Sequence, residues 1–153
     1  MQLTRFTDAS LRVLMHLAQL PPGQQATTLE LAERYNIPYN HLHKAVHHLS
    51  KVGWISAARG RNGGIRLAAA PSDLTIGQVV RSTEPPGDVI DCLSQECPLR
   101  LHCGLKGVLN QATQAFYAQL DRTTLADVVA TTQFTELLPA PPAALPAESP
   151  ENP

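Results

Sequence analysis

The sequence is poor in the constellations that catalysis uses. No pair of carboxylates stands at acid–base spacing and no nucleophile has a base at motif distance. The glycine-rich stretch Gly60 to Gly64 lacks the Lys-Ser/Thr of a phosphate-binding loop. An enzyme is therefore not expected. No uncharged apolar run is long enough to span a bilayer, and Asp8, Arg12 and His16 interrupt the first segment, so neither a secretory signal nor a membrane anchor is expected. That points to a cytoplasmic protein. Cysteine is scarce, with three in 153 residues, and the odd number excludes a closed disulfide framework. In a reducing compartment such thiols are free to bind metal. Acid is scarce as well, but only at one end. Residues 1–70 carry eight Lys or Arg against Asp8, Glu30 and Glu33, whereas residues 71–153 carry four basic and ten acidic side chains. The formal net charge of −1 conceals this division, which implies that only the first half meets a polyanion.

The scarce cysteines are gathered in one stretch, Asp91 to Gly104, D-C-L-S-Q-E-C-P-L-R-L-H-C-G, where Cys92, Cys97 and Cys103 follow the spacing C-x4-C-x5-C. Neither helical nor strand periodicity explains that grouping. Three soft thiolates on a short loop suit zinc or an iron–sulfur cluster, with a further ligand from elsewhere. Three unrelated thiols are the alternative.

Taken in order, the chain predicts a mainly α fold with a small β-hairpin wing. After the polar starters Thr7 and Asp8, the residues Leu11, Leu14, Met15 and Ala18 predict an amphipathic helix, stopped by Pro21-Pro22-Gly23. His16 reads as a surface or half-buried residue of that helix. A second helix opens at Thr27 with Glu30 completing a capping box, and Leu29, Leu31 and Ala32 supply its apolar contacts. The turn Asn36-Ile37-Pro38 starts a third helix running to about Val52, with Leu42, Val46 and Leu49 as its inner stripe. Asn40, His41, Lys44, His47 and Lys51 lie off that stripe, which is the helix-turn-helix pattern. His43 and His47 at i, i+4 also permit a metal site. Hydrogen bonding by the four histidines at 41, 43, 47 and 48 to phosphates or base edges is the preferred reading. Trp54 to Ala58 and Ile65 to Ala68 predict two strands around a tip carrying Arg59, Arg61 and Arg66, and hence a winged helix-turn-helix.

A connecting helix over Leu74 to Thr83 leads to Pro85-Pro86-Gly87 and the cysteine loop. Leu101, Leu105, Val108, Leu109, Ala112, Phe116 and Leu120 then trace an apolar face through about five turns. So long a face needs a partner, and the same helix of a second chain is the economical one. A last helix starts at Thr124, with Asp127 as capping-box acid, and runs toward Leu138. Six prolines among residues 139–153 predict a disordered tail. The resulting division is a winged helix-turn-helix at 1–70, a connecting helix and cysteine loop at 71–104, dimerisation helices at 105–138 and the tail at 139–153.

The segment M-Q-L-T-R-F-T-D-A-S-L-R-V-L-M-H-L-A, the wing R-G-R-N-G-G-I-R-L and the cysteine loop, in that order, resemble the iron–sulfur winged-helix transcriptional regulators of the IscR/NsrR type over roughly residues 1–138. IscR-like members use C-x5-C-x5-C and a histidine three residues after the last cysteine, where this chain has Lys106. NsrR-like members, the nitric-oxide-sensing repressors, match C-x4-C-x5-C. The resemblance implies a homodimer, an inverted-repeat operator in double-stranded DNA, and an iron–sulfur cluster (4Fe-4S, with 2Fe-2S the alternative) held by Cys92, Cys97 and Cys103. It further implies Asp8 of the other subunit as fourth ligand, with His102 the rival. DNA contacts are expected from Tyr39, Asn40, His41 and Lys44 in the major groove and from Arg59, Arg61 and Asn62 of the wing in the minor groove. The function implied is nitric-oxide-responsive repression. A regulator of iron–sulfur assembly of the IscR type and a zinc- or thiol-switched DNA-binding protein are the alternatives.

Overall fold

A computed structural model of the chain describes residues 2–58, 60, 63–87, 89–90, 97–99 and 102–133. The element order is α1 (Arg5–Gln19), α2 (Thr28–Arg34), α3 (Tyr39–Lys51), β1 (Ile55–Ala58), β2 (Gly64–Leu67), α4 (Ile76–Thr83), α5 (Gly104–Asp121) and α6 (Leu125–Thr131). The fold is a winged helix, mainly α with one hairpin, as the sequence predicts. Cys92, Arg59, Arg61, Asn62 and the proline-rich tail lie outside the described residues.

Helix α1 begins one turn earlier than its polar starters suggest. Thr4 is the N-cap, accepting from the Thr7 amide at 3.2 Å. Thr7 is fully buried, and Asp8 lies within the first turn. The buried face of α1 is also turned from the expected one. Ala9, Ser10, Val13, Leu14 and Leu17 are covered, while Leu11, Met15 and Ala18 are only half-buried. The reason is position: α1 is the central helix, packed against α3, α4, α6 and β2, so a single stripe cannot describe it. His16, read as surface or half-buried, is 9% exposed and faces the Tyr35 hydroxyl, with Nδ1 3.2 Å from Oη.

The capping box at Thr27 and Glu30 forms as expected and fixes the start of α2. Leu31 and Ala32 enter the core, but Leu29 points outward at 55% exposure. Asn36 ends the helix at φ 51°, a left-handed conformation that asparagine tolerates better than most residues, and so supplies the tight turn into α3. Along α3, Leu42, Ala45, Val46 and Leu49 pack inward. Gly53, at φ 83°, closes that helix and turns the chain into β1. Burial of the leucines alone is worth about 1.5–3 kcal/mol each, which makes Leu14, Leu31, Leu42, Leu49, Leu74 and Leu125 the principal cement of the core.

The hairpin is antiparallel with Ile55 opposite Leu67 and Ala58 opposite Gly64. It is anchored from beneath by Ala26, which exchanges backbone hydrogen bonds with Ile65 at 3.0 and 2.8 Å. Helix α4 starts later than the apolar pattern suggests, at Ile76, behind a capping box of Thr75 and Gln78. Its start is paired with that of α6 through Thr75 and Thr124, and the Thr124–Asp127 box is formed. Helix α5 spans five turns and buries none of its residues; Leu105 and Val108 are about 60% exposed.

Candidate functional site

Two features gather chemistry-bearing residues. The first is the outer face of α3. Tyr39, Asn40, His41, His43, Lys44, His47 and Lys51 are all exposed, on the side opposite the Leu42–Leu49 stripe. No side chain caps the N-terminus of α3 and no acid stands in its first turn. An uncapped, acid-free helix start favours phosphate. Tyr39 and His43 lie side by side, ring centroids 5.8 Å apart, so the first two turns present one continuous surface of ring edges and donors. His48 departs from the expected reading. It is half-buried, with Nε2 2.8 Å from Ser82 Oγ and its ring edge-on to Phe6, so it joins α3 to α4 and α1 instead of facing solvent. His43 and His47 gain no third ligand among the described residues. On the wing, Arg66 donates from Nε to Ser56 Oγ at 3.1 Å across the hairpin.

The second feature is the segment before α5. Cys97 is exposed, Cys103 is half-buried, and both are free thiols. Cys103 is the N-cap residue of α5 but its side chain caps nothing. Its sulfur is thus uncommitted, at the end of a helix where the macrodipole favours negative charge. Among the described residues no group of three His, Cys, Asp or Glu side chains comes together around a metal position. The donor chemistry nonetheless fits a soft metal or cluster, since two uncommitted thiols stand within reach of solvent and a third cysteine, Cys92, lies five residues before Cys97 in the sequence.

Asp8 is exposed and accepts from Arg12 Nε at 3.0 Å, one turn on. It does not cap α1, because Thr4 does. Its surroundings connect the two features: a cavity of about 480 Å³ is lined by Arg5, Phe6, Asp8 and Ile37 together with His41 and Lys44 of α3. The expected ligand carboxylate and two expected DNA contacts share one groove. Sequence reasoning missed Arg5 here, although a signal existed, since a cation in the first turn of a helix opposes the macrodipole.

Residues 3–131 match the Rrf2 family, described as iron-dependent transcriptional regulators. The chain belongs to the Rrf2 family. Among Rrf2 relatives, the transcriptional regulators named NsrR from Bacillus subtilis (strain 168) and Halalkalibacterium halodurans are each 45% identical over 132 residues, covering 84% of this chain and 90% of the relative. Among solved structures, IscR of T. potens superposes with a TM-score of 0.69 at 23% identity, covering 85% of this chain and 87% of that one. The cysteine regulator CymR of B. subtilis gives 0.65 at 23%, covering 86% and 98%. These likenesses establish the Rrf2 winged-helix architecture. This Rrf2 protein is a DNA-binding transcriptional regulator and not an enzyme. Among the described residues no helix is long and apolar enough to cross a membrane.

Proposed function

We propose that the chain is a nitric-oxide-responsive repressor that works as a homodimer on palindromic operator DNA. The observation that carries this reading is its 45% identity with regulators named NsrR across 132 residues. The cysteine spacing C-x4-C-x5-C supports it.

In this reading the outer face of α3 enters the major groove, where Tyr39, Asn40, His41 and Lys44 meet base edges and phosphates. Arg59, Arg61 and Asn62 of the wing enter the minor groove, where narrow A·T-rich stretches attract arginine. Helix α5 of one chain packs on that of the other, covering Leu105 and Val108, which an isolated chain leaves exposed.

Cys92, Cys97 and Cys103 would hold a 4Fe-4S cluster, and Asp8 of the partner subunit would be the fourth ligand. A carboxylate is a hard and weakly held ligand for iron beside three thiolates, so Asp8 would be the most readily displaced of the four. When bound, the cluster supplies irons that combine with nitric oxide. Asp8 stands one helix away from the α3 reading surface and shares a groove with His41 and Lys44, so a ligand bond at Asp8 constrains where the two reading helices sit. A dimer in which Asp8 made no such bond would not hold its reading helices to the spacing of the operator half-sites. A hundredfold fall in affinity needs about 2.7 kcal/mol of coupling, within what one intersubunit ligand can provide.

The test is Cys97→Ala, purified anaerobically. Iron, sulfide and tight operator binding should be lost together. A variant that is metal-free yet binds the operator as wild type does contradicts the reading.

A further inference from the structure

A rotation of about 100° per residue divides the polar side of α3 into three rows. Asn40, Lys44, His47 and Lys51 lie directly opposite the buried Leu42, Ala45, Val46 and Leu49. Tyr39 and His43 stand on one flank of that outward row, and His41 and His48 on the other. The second flank is turned toward α1. His48 meets the Phe6 ring edge-on at 5.5 Å, and His41 lines the groove of about 480 Å³ beside Arg5. His41 is thus rotated away from the direction in which α3 points, whereas Lys44 belongs both to the outward row and to the groove.

Local rules give no reason for a cation at the head of α1. Arg5 is the first residue of that helix, where a positive charge opposes the macrodipole. It is exposed, and among the described residues its side chain has no hydrogen bond or salt bridge to offset that cost. The side chains of His41 and Lys44 are likewise exposed and unpaired among the described residues. The carboxylate in the groove, Asp8, is already paired with Arg12 at 3.0 Å. Two cations and an imidazole therefore converge on one space whose remaining walls, Phe6 and Ile37, are apolar. Departures from local consistency of this kind tend to mark function. The groove complements an anion, and its position says which one. A reading helix in the major groove has a sugar–phosphate strand on either side, and the helix beside it crosses one of them. Through Lys44 the groove continues the outer face of α3 without a break, on the side where such a strand would run.

We propose that Arg5, with His41 and Lys44, clasps one backbone phosphate of each operator half-site, and that this contact sets how α3 sits in the major groove without reading a base. The proposal adds α1 to the DNA interface and assigns His41 to the backbone. It rests on the reading that the outer face of α3 meets DNA, and not on the cluster.

The test measures the affinity of the full-length dimer, as a function of salt, for an inverted-repeat duplex selected from random sequence by the wild-type protein. Arg5→Ala should bind about tenfold more weakly, and by the same factor on duplexes with single base changes. Its slope of log affinity against log salt should be shallower by about two, one phosphate for each subunit. Arg5→Lys keeps the charge and should keep the slope. Arg5→Ala should melt no lower than wild type, since it removes a cation that opposes its own helix, so weaker binding is not unfolding. Duplexes carrying one neutral methylphosphonate at a time then locate the contact. One position in each half-site should weaken wild type and leave Arg5→Ala unaffected. An unchanged slope, or equal methylphosphonate losses in both proteins at every position, overturns the proposal. So does weaker binding that follows from dissociation of the dimer, which would make a second copy of the chain the partner of Arg5. Asn40→Ala separates the two levels of the argument. If it changes neither affinity nor base preference, the reading of α3 fails; a responsive Asn40→Ala beside a wild-type slope in Arg5→Ala overturns the phosphate contact alone.

Discussion

Arg81 on α4 holds Asp121 on α5 through two parallel hydrogen bonds, Nη1 to Oδ1 at 2.5 Å and Nη2 to Oδ2 at 2.7 Å, with its guanidinium 4.5 Å from the centre of the Tyr117 ring. Both partners are more than a third exposed, so solvent screens the charge. The consequence is geometric: Asp121 of α5 is fixed directly over Gly77 of α4. A methyl group at Gly77 would overlap Asp121 Oδ1 and lie 3.0 Å from the Asp121 backbone nitrogen.

Gly77→Ala should therefore destabilise the protein by about 1–3 kcal/mol, the usual range for overpacking a close contact. The melting temperature should fall by several degrees, at about 2–4 °C per kcal/mol for a chain of this size. Asp121→Ala in the same chain should recover part of the loss, because it removes the group that the new methyl meets. A Gly77→Ala protein that melts with wild type would show that α4 and α5 are not held this closely.

His16 predicts an acid sensitivity. Burial holds its imidazole below the ordinary value of 6.5, the positive charge of Arg34 lowers it further, and Glu30 opposes them in part. As pH falls through about 6.5 the unfolded chain takes up this proton before the folded one does, so stability falls. Above that pH neither state is protonated and His16 contributes no pH dependence. The decline levels off once the folded ring is protonated too. Urea unfolding of the metal-free protein at pH 7.5 and 5.5 should show a loss of stability for wild type and a smaller one for His16→Gln. Equal losses would remove His16 from the acid response.

Asp8 separates ligation from helix stability. Thr4 caps α1, and the Asp8–Arg12 pair is exposed on both sides, so Asp8→Ala should change metal-free stability by less than about 0.5 kcal/mol. The same variant, reconstituted anaerobically, should retain less iron and bind the operator more weakly. Full iron and sulfide content with wild-type affinity would exclude Asp8 as the fourth ligand.

What could be read from the sequence was local. The capping boxes at Thr27 and Thr124, the Leu42–Leu49 stripe and the hairpin around Gly60–Gly64 are encoded within a few residues each, and all appear where expected. What escaped depends on distant packing. His16 and Ser10 are covered because α1 has neighbours on several sides, which helical periodicity does not register. His48 looked like one more histidine on a polar face until Ser82 and Phe6 came to meet it. Glu84 and Arg5 each left a faint signal, a charge of the wrong sign for its helix end, but the partners that explain Glu84 lie about eighty residues away. Exposure of Tyr39, Asn40, His41 and Lys44 was legible from the inner stripe; the groove that Asp8 shares with His41 and Lys44 was not.

Operator affinity of the anaerobically purified dimer, followed together with its visible absorption as nitric oxide is added, tests cluster-dependent repression most directly. Tight binding by the coloured, iron-loaded protein is expected, falling about a hundredfold as the iron–sulfur absorption is lost. A freshly isolated, oxygen-free protein that contains no iron yet holds the operator tightly, or one whose grip is unchanged by nitric oxide, would contradict it.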